Sequence, residues 1–378
     1  MLKVLYLLNH AGKAGTEAYV QSLVERLHGN RIKAYFAYNE EGWLVERLKE
    51  LGVDTYRIEM RHPFDIAAVW KLNRLCRELG IELIHTQYLR ENYIALLSRI
   101  FNPRVKVMYT NHFILPNNII LRMCNRVLTR LQANIIAVCN KGREMMIRNG
   151  NDGSKISVIY NGVDPKIWGR PSPSTLREEL GLDEDVFLIL CGSRFYYDKG
   201  HKFLVNSIAE LKKITDRKFK CILANDGPLL DEIKEYVKNL QLEEDIIFIG
   251  PRKDMKNVYD GCNMYVNSSW HEALSFAIIE ALAEGLPVVA TDMGGNPEII
   301  NDETKCGILV KYDDAEGMAV AINRVMNDAA LQAELRSNGF NTVNEKFNLD
   351  KMVMQTYNLY VKSCVKNYQK KTKGDEIQ

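Results

Sequence analysis

Two glutamates eight residues apart, Glu272 and Glu280, stand in the run Trp270-His271-Glu272-Ala273-Leu274-Ser275-Phe276-Ala277-Ile278-Ile279-Glu280. Ser275 suits a helix N-cap. Gly285 and Pro287 end the helical pattern before Val288-Val289-Ala290, which reads as a strand. One carboxylate therefore stands just ahead of a helix N-terminus, and the other about two turns into the same helix. Between them lie backbone N–H groups without intrahelical partners, and together with the helix dipole these attract phosphate. A diphosphate held between two acidic side chains suggests a nucleotide-sugar, with Glu272 toward the sugar and Glu280 toward the ribose hydroxyls. By spacing alone, a solvated helix with two surface glutamates fits equally well.

Other loops supply charges of the opposite sign. Gly192–Gly200 follows an apolar run and places Arg194 and Lys199 five residues apart, a pair suited to neutralising a diphosphate leaving group. An ordinary solvated loop is the alternative, although Gly192 and Gly200 would allow close backbone approach. Asn225-Asp226-Gly227-Pro228 reads as a strand-to-helix turn. Arg252, in Gly250-Pro251-Arg252, could by its position meet a nucleobase. Gly294-Gly295 suits a turn that approaches a neighbour or a ligand, and Glu298 beyond it can be a helix cap. Gly15 lies in a small-residue loop, Ala11–Glu17, that lacks both the GxGxxG and the Walker pattern, so a dinucleotide or P-loop site is not expected. His112 falls just past one strand end and His85 ends another; each can be functional or structural. Asp183-Glu184-Asp185 resembles an acidic metal motif but precedes a strand, so it reads as solvent-facing. No metal site and no cofactor are expected.

Thirteen short apolar segments position these loops: Val4–Leu8, Ile32–Ala37, Thr55–Ile58, Leu83–His85, Lys106–Thr110, Ile135–Val138 and Ser157–Ile159, then Phe187–Cys191, Lys220–Ala224, Ile246–Ile249, Met264–Asn267, Pro287–Thr291 and Gly307–Val310. Helical patterns such as Glu17–Leu27 and Asp65–Leu79 alternate with them, which predicts parallel α/β layers. A chain of 378 residues exceeds one ordinary core. The Pro/Ser-rich segment Arg170–Ser174 divides it into domains 1–169 and 170–349, and a polar tail, 369–378, reads as disordered. Ligands of such sheets bind beyond the carboxyl ends of the strands, so the cleft between the halves is the natural site.

The net charge of +2 hides an asymmetry. Residues 1–170 carry 25 Lys/Arg against 15 Asp/Glu, and residues 171–378 carry 25 against 33. The basic half would attract an anionic partner. Within it, Asn118–Leu131 alternates apolar residues with Arg122, Arg126 and Arg130, a pattern that suits an amphipathic helix on anionic lipid or a surface helix with snorkelling arginines. The eight cysteines show neither CxxC nor metal-ligand spacing and read as reduced core residues of a cytosolic protein. The opening apolar run is too short for a signal peptide, and no stretch approaches the roughly 20 residues that would span a membrane.

Nine of these elements occur in the order found in the retaining glycosyltransferases of family 4, and the chain resembles that family from the first strand to about residue 350. They are Gly15-Thr16-Glu17; Thr110-Asn111-His112; Ala133–Val138; Val158–Asp164; Gly192–Gly200; Asp226-Gly227-Pro228; Glu272 with Glu280; Gly285–Val289; and Gly294-Gly295 with Glu298. The resemblance implies a GT-B fold: two facing Rossmann-like domains, a cleft between them, and a C-terminal helix, 350–368, that returns to the first domain. It implies that Arg194 and Lys199 bind the diphosphate, that Glu272 contacts the sugar and Glu280 the ribose, and that the amides of Leu274, Ser275 and Phe276 lie near the phosphates. His112 matches a histidine beside the reacting sugar, and Gly15 and Gly192 match donor-side loops. Three small replacements depart from the pattern: Ala14-Gly15 for two glycines, Ala273 and Ser275 for glycines after Glu272, and Cys139 for a serine. They bear on donor identity more than on activity. The implied function is metal-independent, retaining transfer of a hexose or N-acetylhexosamine from a nucleoside-diphosphate sugar, most simply UDP, to a glycan or lipid-linked acceptor in bacterial surface polysaccharide assembly. The implied setting is cytoplasmic and peripheral to the membrane, with no nucleic acid partner. The alternatives are a sugar-nucleotide epimerase of the same fold and a glycan- or nucleotide-binding protein without catalysis.

Overall fold

The computed structural model describes residues 1–12, 14–169 and 172–365. Lys13, the first two linker residues Arg170 and Pro171, the end of the expected C-terminal helix (366–368) and the tail 369–378 lie outside the described residues. Contacts divide the chain into two units. One comprises Met1–Asn161 and the segment from Leu349, and the other Gly162–Asn348.

The first unit alternates strands and helices: β1 (Leu2–His10), α1 (Gly15–Leu27), β2 (Ile32–Glu40), α2 (Trp43–Glu50), β3 (Asp54–Arg57), α3 (Ile66–Leu79), β4 (Leu83–Thr86), α4 (Leu89–Phe101), β5 (Lys106–Asn111), α5 (Ile119–Leu128), β6 (Asn134–Ala137), α6 (Asn140–Arg148) and β7 (Ile156–Val158). The strands are all parallel in the order β3-β2-β1-β4-β5-β6-β7. Helices cover both faces, so the central strands are apolar throughout; Val4–Leu8 and Leu83–Thr86 are fully buried. The second unit repeats the plan with α7 (Leu176–Leu180), β8 (Phe187–Cys191), α8 (His201–Ile214), β9 (Phe219–Ala224), α9 (Leu230–Asn239), β10 (Ile246–Gly250), α10 (Met255–Gly261), β11 (Met264–Asn267), α11 (Phe276–Ala283), β12 (Val288–Thr291), α12 (Asn296–Ile299), β13 (Gly307–Val310), α13 (Ala315–Asn327) and α14 (Ala329–Lys346). Its parallel order is β10-β9-β8-β11-β12-β13. Both sheets are Rossmann-like. Each reverses its strand order once, between β1 and β4 and between β8 and β11, and such a reversal opens a crevice at the carboxyl ends.

The last helix, α15 (Leu349–Val365), belongs to the first unit. A buried polar chain ties it to the sheet. The Tyr360 hydroxyl lies 2.6 Å from His85 Nδ1 and 3.3 Å from the Tyr6 hydroxyl, and His85 Nε2 lies 2.7 Å from Thr110 Oγ1. Both ring nitrogens of His85 are thus engaged, and burial pushes its pKa down to about 3. His85 is a structural residue that joins β4, β5 and α15.

The Arg-rich segment forms α5 at the surface. Asn118 caps it, its side chain accepting from Leu121 N–H at 2.9 Å. Its one buried residue is nevertheless polar. Asn125 is buried, accepts from the Tyr93 hydroxyl at 2.7 Å and donates to the Asn149 carbonyl at 2.8 Å. Ile119, Ile120, Met123 and Val127 face outward, each more than 60% exposed. Arg126 and Arg130 are exposed, whereas Arg122 folds back to the Asn117 carbonyl at 2.8 Å.

Candidate active site

Three loops of the second unit leave the carboxyl ends of the adjacent strands β8, β11 and β12 and meet beside the strand-order reversal. Their own polar atoms stitch them together. Trp270 donates its backbone N–H to the Asp198 carbonyl at 3.0 Å and its ring N–H to the Tyr197 carbonyl at 2.9 Å. The Ser268 hydroxyl donates to the Lys199 carbonyl at 2.9 Å. Asn267, the last residue of β11, accepts at Oδ1 from Ser269 N–H and from Asn296 Nδ2, each at 3.3 Å. The Thr291 hydroxyl donates to the Ser269 carbonyl at 2.5 Å. Asn267, Ser269, Thr291 and Asn296 are all buried, so sliding one loop against another would strand a polar group away from water.

Two glycines are required by this packing. Gly200 has φ +66°, and a Cβ there would fall 2.1 Å from the Ser268 carbonyl oxygen. Gly294 has φ +59°, and a Cβ there would fall 1.6 Å from the Glu272 carbonyl oxygen. The close approach anticipated for these glycines is therefore to neighbouring backbone. Gly192 is less constrained: a Cβ would meet the Met255 methyl at 3.2 Å.

Lys199 and Glu272 come together. Lys199 Nζ lies 2.6 Å from Glu272 Oε2 and 3.3 Å from Asp198 Oδ2, with the Lys199 and Glu272 side chains 18% and 14% exposed. Burial works against the lysine's charge, but Glu272 and then Asp198 outweigh it and its pKa stands raised. Lys199 is thus a fixed cation. Arg194 is exposed, its guanidinium 4.8 Å above the Tyr196 ring, with no carboxylate bonded to it among the described residues. Ser275 caps α11 by accepting from Ile278 N–H at 3.4 Å. Leu274 is buried beside it, and Phe276 opens the helix.

Glu280 departs from expectation. A carboxylate meant to accept from ribose hydroxyls works best ionised, yet burial raises the pKa of Glu280 to about 7, against which the Tyr259 hydroxyl donates at 3.3 Å. Tyr259 stacks on Tyr265 of β11, ring centroids 5.8 Å apart. No cation is paired with Glu280 among the described residues. The two glutamates therefore do different work: Glu272 is locked to a lysine, and Glu280 sits in a less polar place where a hydrogen-bond donor would favour its charged form. Arg252 is engaged elsewhere, bonded to both Asp254 oxygens at 2.8 and 2.6 Å and to Glu179 at 2.8 Å.

In the first unit His112 follows β5. Its Nε2 lies 3.0 Å from Gln87 Oε1. A carbonyl oxygen only accepts, so Nε2 carries the proton and Nδ1 keeps a lone pair. The Tyr19 ring packs edge-on at 5.0 Å, and burial pushes the His112 pKa down to about 3. His112 is a neutral hydrogen-bonding group, not a cation. Gly15 begins α1 on the other side of the β1/β4 reversal.

Two family models match the chain: "Glycosyltransferase Family 4" over residues 14–167 and "Glycosyl transferases group 1" over residues 173–342. The chain belongs to the family 4, group 1 glycosyltransferases. It is 24% identical over 324 residues to the N-acetyl-alpha-D-glucosaminyl L-malate synthase of Bacillus anthracis, covering 82% of each chain. A second relative, 28% identical over 290 residues (72% of this chain and 76% of its own), is the N-acetylgalactosamine-N,N'-diacetylbacillosaminyl-diphospho-undecaprenol 4-alpha-N-acetylgalactosaminyltransferase of Campylobacter jejuni. Among solved structures, Anabaena HepE in complex with UDP superposes with a TM-score of 0.85 at 22% identity, covering 96% of this chain and all of its own, and shares the GT-B fold.

In this glycosyltransferase the residues that support the charged groups escape sequence reasoning. Gln87, Tyr259, Tyr265, Asn267 and Asn296 carry no motif. The available signal was positional, since Gln87 and Asn267 stand at strand ends beside the two reversals. No group of three His, Cys, Asp or Glu side chains able to hold a metal occurs among the described residues. The Asp183–Asp185 run faces solvent, where Asp185 pairs with Lys218.

Proposed function

We propose that this glycosyltransferase moves a hexosyl or N-acetylhexosaminyl group from a UDP-sugar to a lipid-linked or glycan acceptor, with retention of anomeric configuration, in the assembly of a bacterial surface glycan. The observation that carries the reading is Lys199, a fixed and largely buried cation held beside Glu272 at the head of a capped helix. The donor diphosphate would lie against the first amides of α11, Arg194 and Lys199. As the anomeric C–O bond breaks, both electrons go to the departing phosphate oxygen, and the two cations stabilise that charge where it develops. The acceptor oxygen bonds to the same face of the anomeric carbon, and its proton passes to the departing phosphate. Glu272 would accept from sugar hydroxyls and Glu280 from the ribose. His112, held neutral, would hydrogen-bond the sugar. UDP as the carrier is supported by the UDP complex of HepE, and a lipid-linked acceptor by the diphospho-undecaprenol named for the Campylobacter jejuni relative.

The outward-facing Ile119, Ile120, Met123 and Val127 with Arg126 and Arg130 suit an anionic membrane surface, where such an acceptor would reside. No helix among the described residues is long and apolar enough to cross a membrane. The test is a panel of UDP- and GDP-sugars, followed for slow donor hydrolysis and for anomeric configuration after transfer. Hydrolysis that Lys199→Ala abolishes supports the reading; a protein that binds and cleaves no donor overturns it.

A further inference from the structure

A second cluster of cations lies in the first unit, at the end of the strands opposite to His112. A cavity of about 200 Å³ is lined by Arg99, Lys106, Ala133, Asn134, Lys362 and Ser363. Lys106 opens β5 and Asn134 opens β6, whereas His112 follows the carboxyl end of β5, so the parallel register places cavity and histidine at opposite ends. Three of the six lining residues are cations and none is acidic. Arg99 donates one guanidinium N–H to the Leu131 carbonyl, but its Nε is buried without a partner. Lys106 and Lys362 form no ion pair among the described residues. Lys155 stands close enough to Arg99 for the two charges to repel, and its own protons go to the carbonyls of Thr129, Arg130 and Gln132. The nearby Glu82 accepts from the backbone N–H of Lys3. The unpartnered Arg99 N–H lacks an acceptor, and with the part-buried Lys106 and the exposed Lys362 beside it an anion would supply one.

We propose that this cavity binds a phosphate or diphosphate group, held by Arg99, Lys106 and Lys362. Its volume of about 200 Å³ is enough for a diphosphate. The anion has two possible sources, a soluble diphosphate or a lipid headgroup. Ile100 and Phe101 follow Arg99 directly, are 56% and 45% exposed, and would give lipid chains an apolar surface.

The test uses the full chain and two variants, Lys106→Ala/Lys362→Ala and Lys199→Ala. Inorganic diphosphate is titrated by calorimetry at low salt, and vesicles with and without phosphatidylglycerol are co-sedimented with each protein. Losing two charge-assisted contacts should weaken affinity by about a hundredfold, at roughly tenfold each. Diphosphate binding that survives Lys199→Ala and is lost in the double variant supports a soluble ligand. Binding only to phosphatidylglycerol vesicles, again lost in the double variant, supports a headgroup. If neither probe binds, or the double variant binds both as well as the parent, the proposal is overturned. Binding lost only in Lys199→Ala would place the anion at the donor loop and also overturn it, while supporting the proposed activity.

Discussion

Gly294→Ala tests whether the backbone of Glu272 is held by contact. The new methyl would lie 1.6 Å from the Glu272 carbonyl oxygen, whereas a carbon and an oxygen seldom approach closer than about 3.3 Å. One of the two loops must yield by about 1.7 Å, the difference between those distances. Glu272 bonds Lys199 at 2.6 Å, so the shift disturbs the charged pair directly. A misplacement of about 1 Å costs on the order of a hundredfold in rate. Alanine at φ +59° adds about 1–2 kcal/mol of strain, and the overlap about 1–3 more. A loss of roughly 2–5 kcal/mol lowers Tm by about 5–20 °C in a domain of this size. Gly285→Ala is the control: φ is +73° but nothing lies within 4 Å of the added carbon. It should show the strain alone, a few degrees in Tm, with unchanged turnover. The assay is kcat for donor hydrolysis at a temperature where circular dichroism shows both variants folded, alongside thermal melts. If Gly294→Ala turns over like Gly285→Ala, the contact does not position Glu272 and the reasoning fails.

Lys199→Ala should lower kcat by about 10²–10³-fold, the usual effect of removing one group that stabilises developing charge, and a kcat within threefold of the parent would refute that role. Glu280 ionises near pH 7, so donor KM should rise as pH falls through 7. Glu280→Gln should have a weak donor KM that no longer changes with pH, and an unaltered pH profile would count against Glu280. Glu91 is buried, accepts from the Asn9 N–H and has a pKa raised by burial to about 7. Its folded-state pKa lies above the unfolded value, so its contribution to stability is fully present below about pH 4.5 and lost as pH rises through 7. Glu91→Gln should therefore raise Tm at pH 8 and do little at pH 4.5; a variant equally destabilised at both would contradict this. Ile120→Glu/Met123→Glu, both at exposed positions, should leave Tm within about a degree and abolish co-sedimentation with anionic vesicles, and retained binding would remove α5 from the membrane reading.

Much was legible in the sequence because it is written locally. The strand candidates match the observed strands to within a few residues, since a strand covered on both faces must be apolar along its length. Ser275 caps its helix where the pattern places it, because a cap needs only the next turn of backbone. The charged residues of the loops after β8 and β11 fall at strand ends for the same reason: apolar runs stop where solvent begins.

What the chain could not announce depends on partners far away in sequence. The pairing of Lys199 with Glu272 spans 73 residues, and Gly294 is constrained by a carbonyl of another loop. His85 and His112 both stand at or just past strand ends, yet one is consumed by Tyr360 and Thr110 and the other keeps a free lone pair. The inward Asn125 of α5 is set by Tyr93 and Asn149, and it turned an apolar stripe toward solvent. Glu280 reads as an ordinary carboxylate, and only burial beside Tyr259 moved it toward neutrality. By itself the sequence determined the family, the two sheets and which charges stand at their ends. The tertiary structure decided which charges are paired, which are buried and which remain free, because desolvation and Coulomb interaction depend on distance in space rather than along the chain.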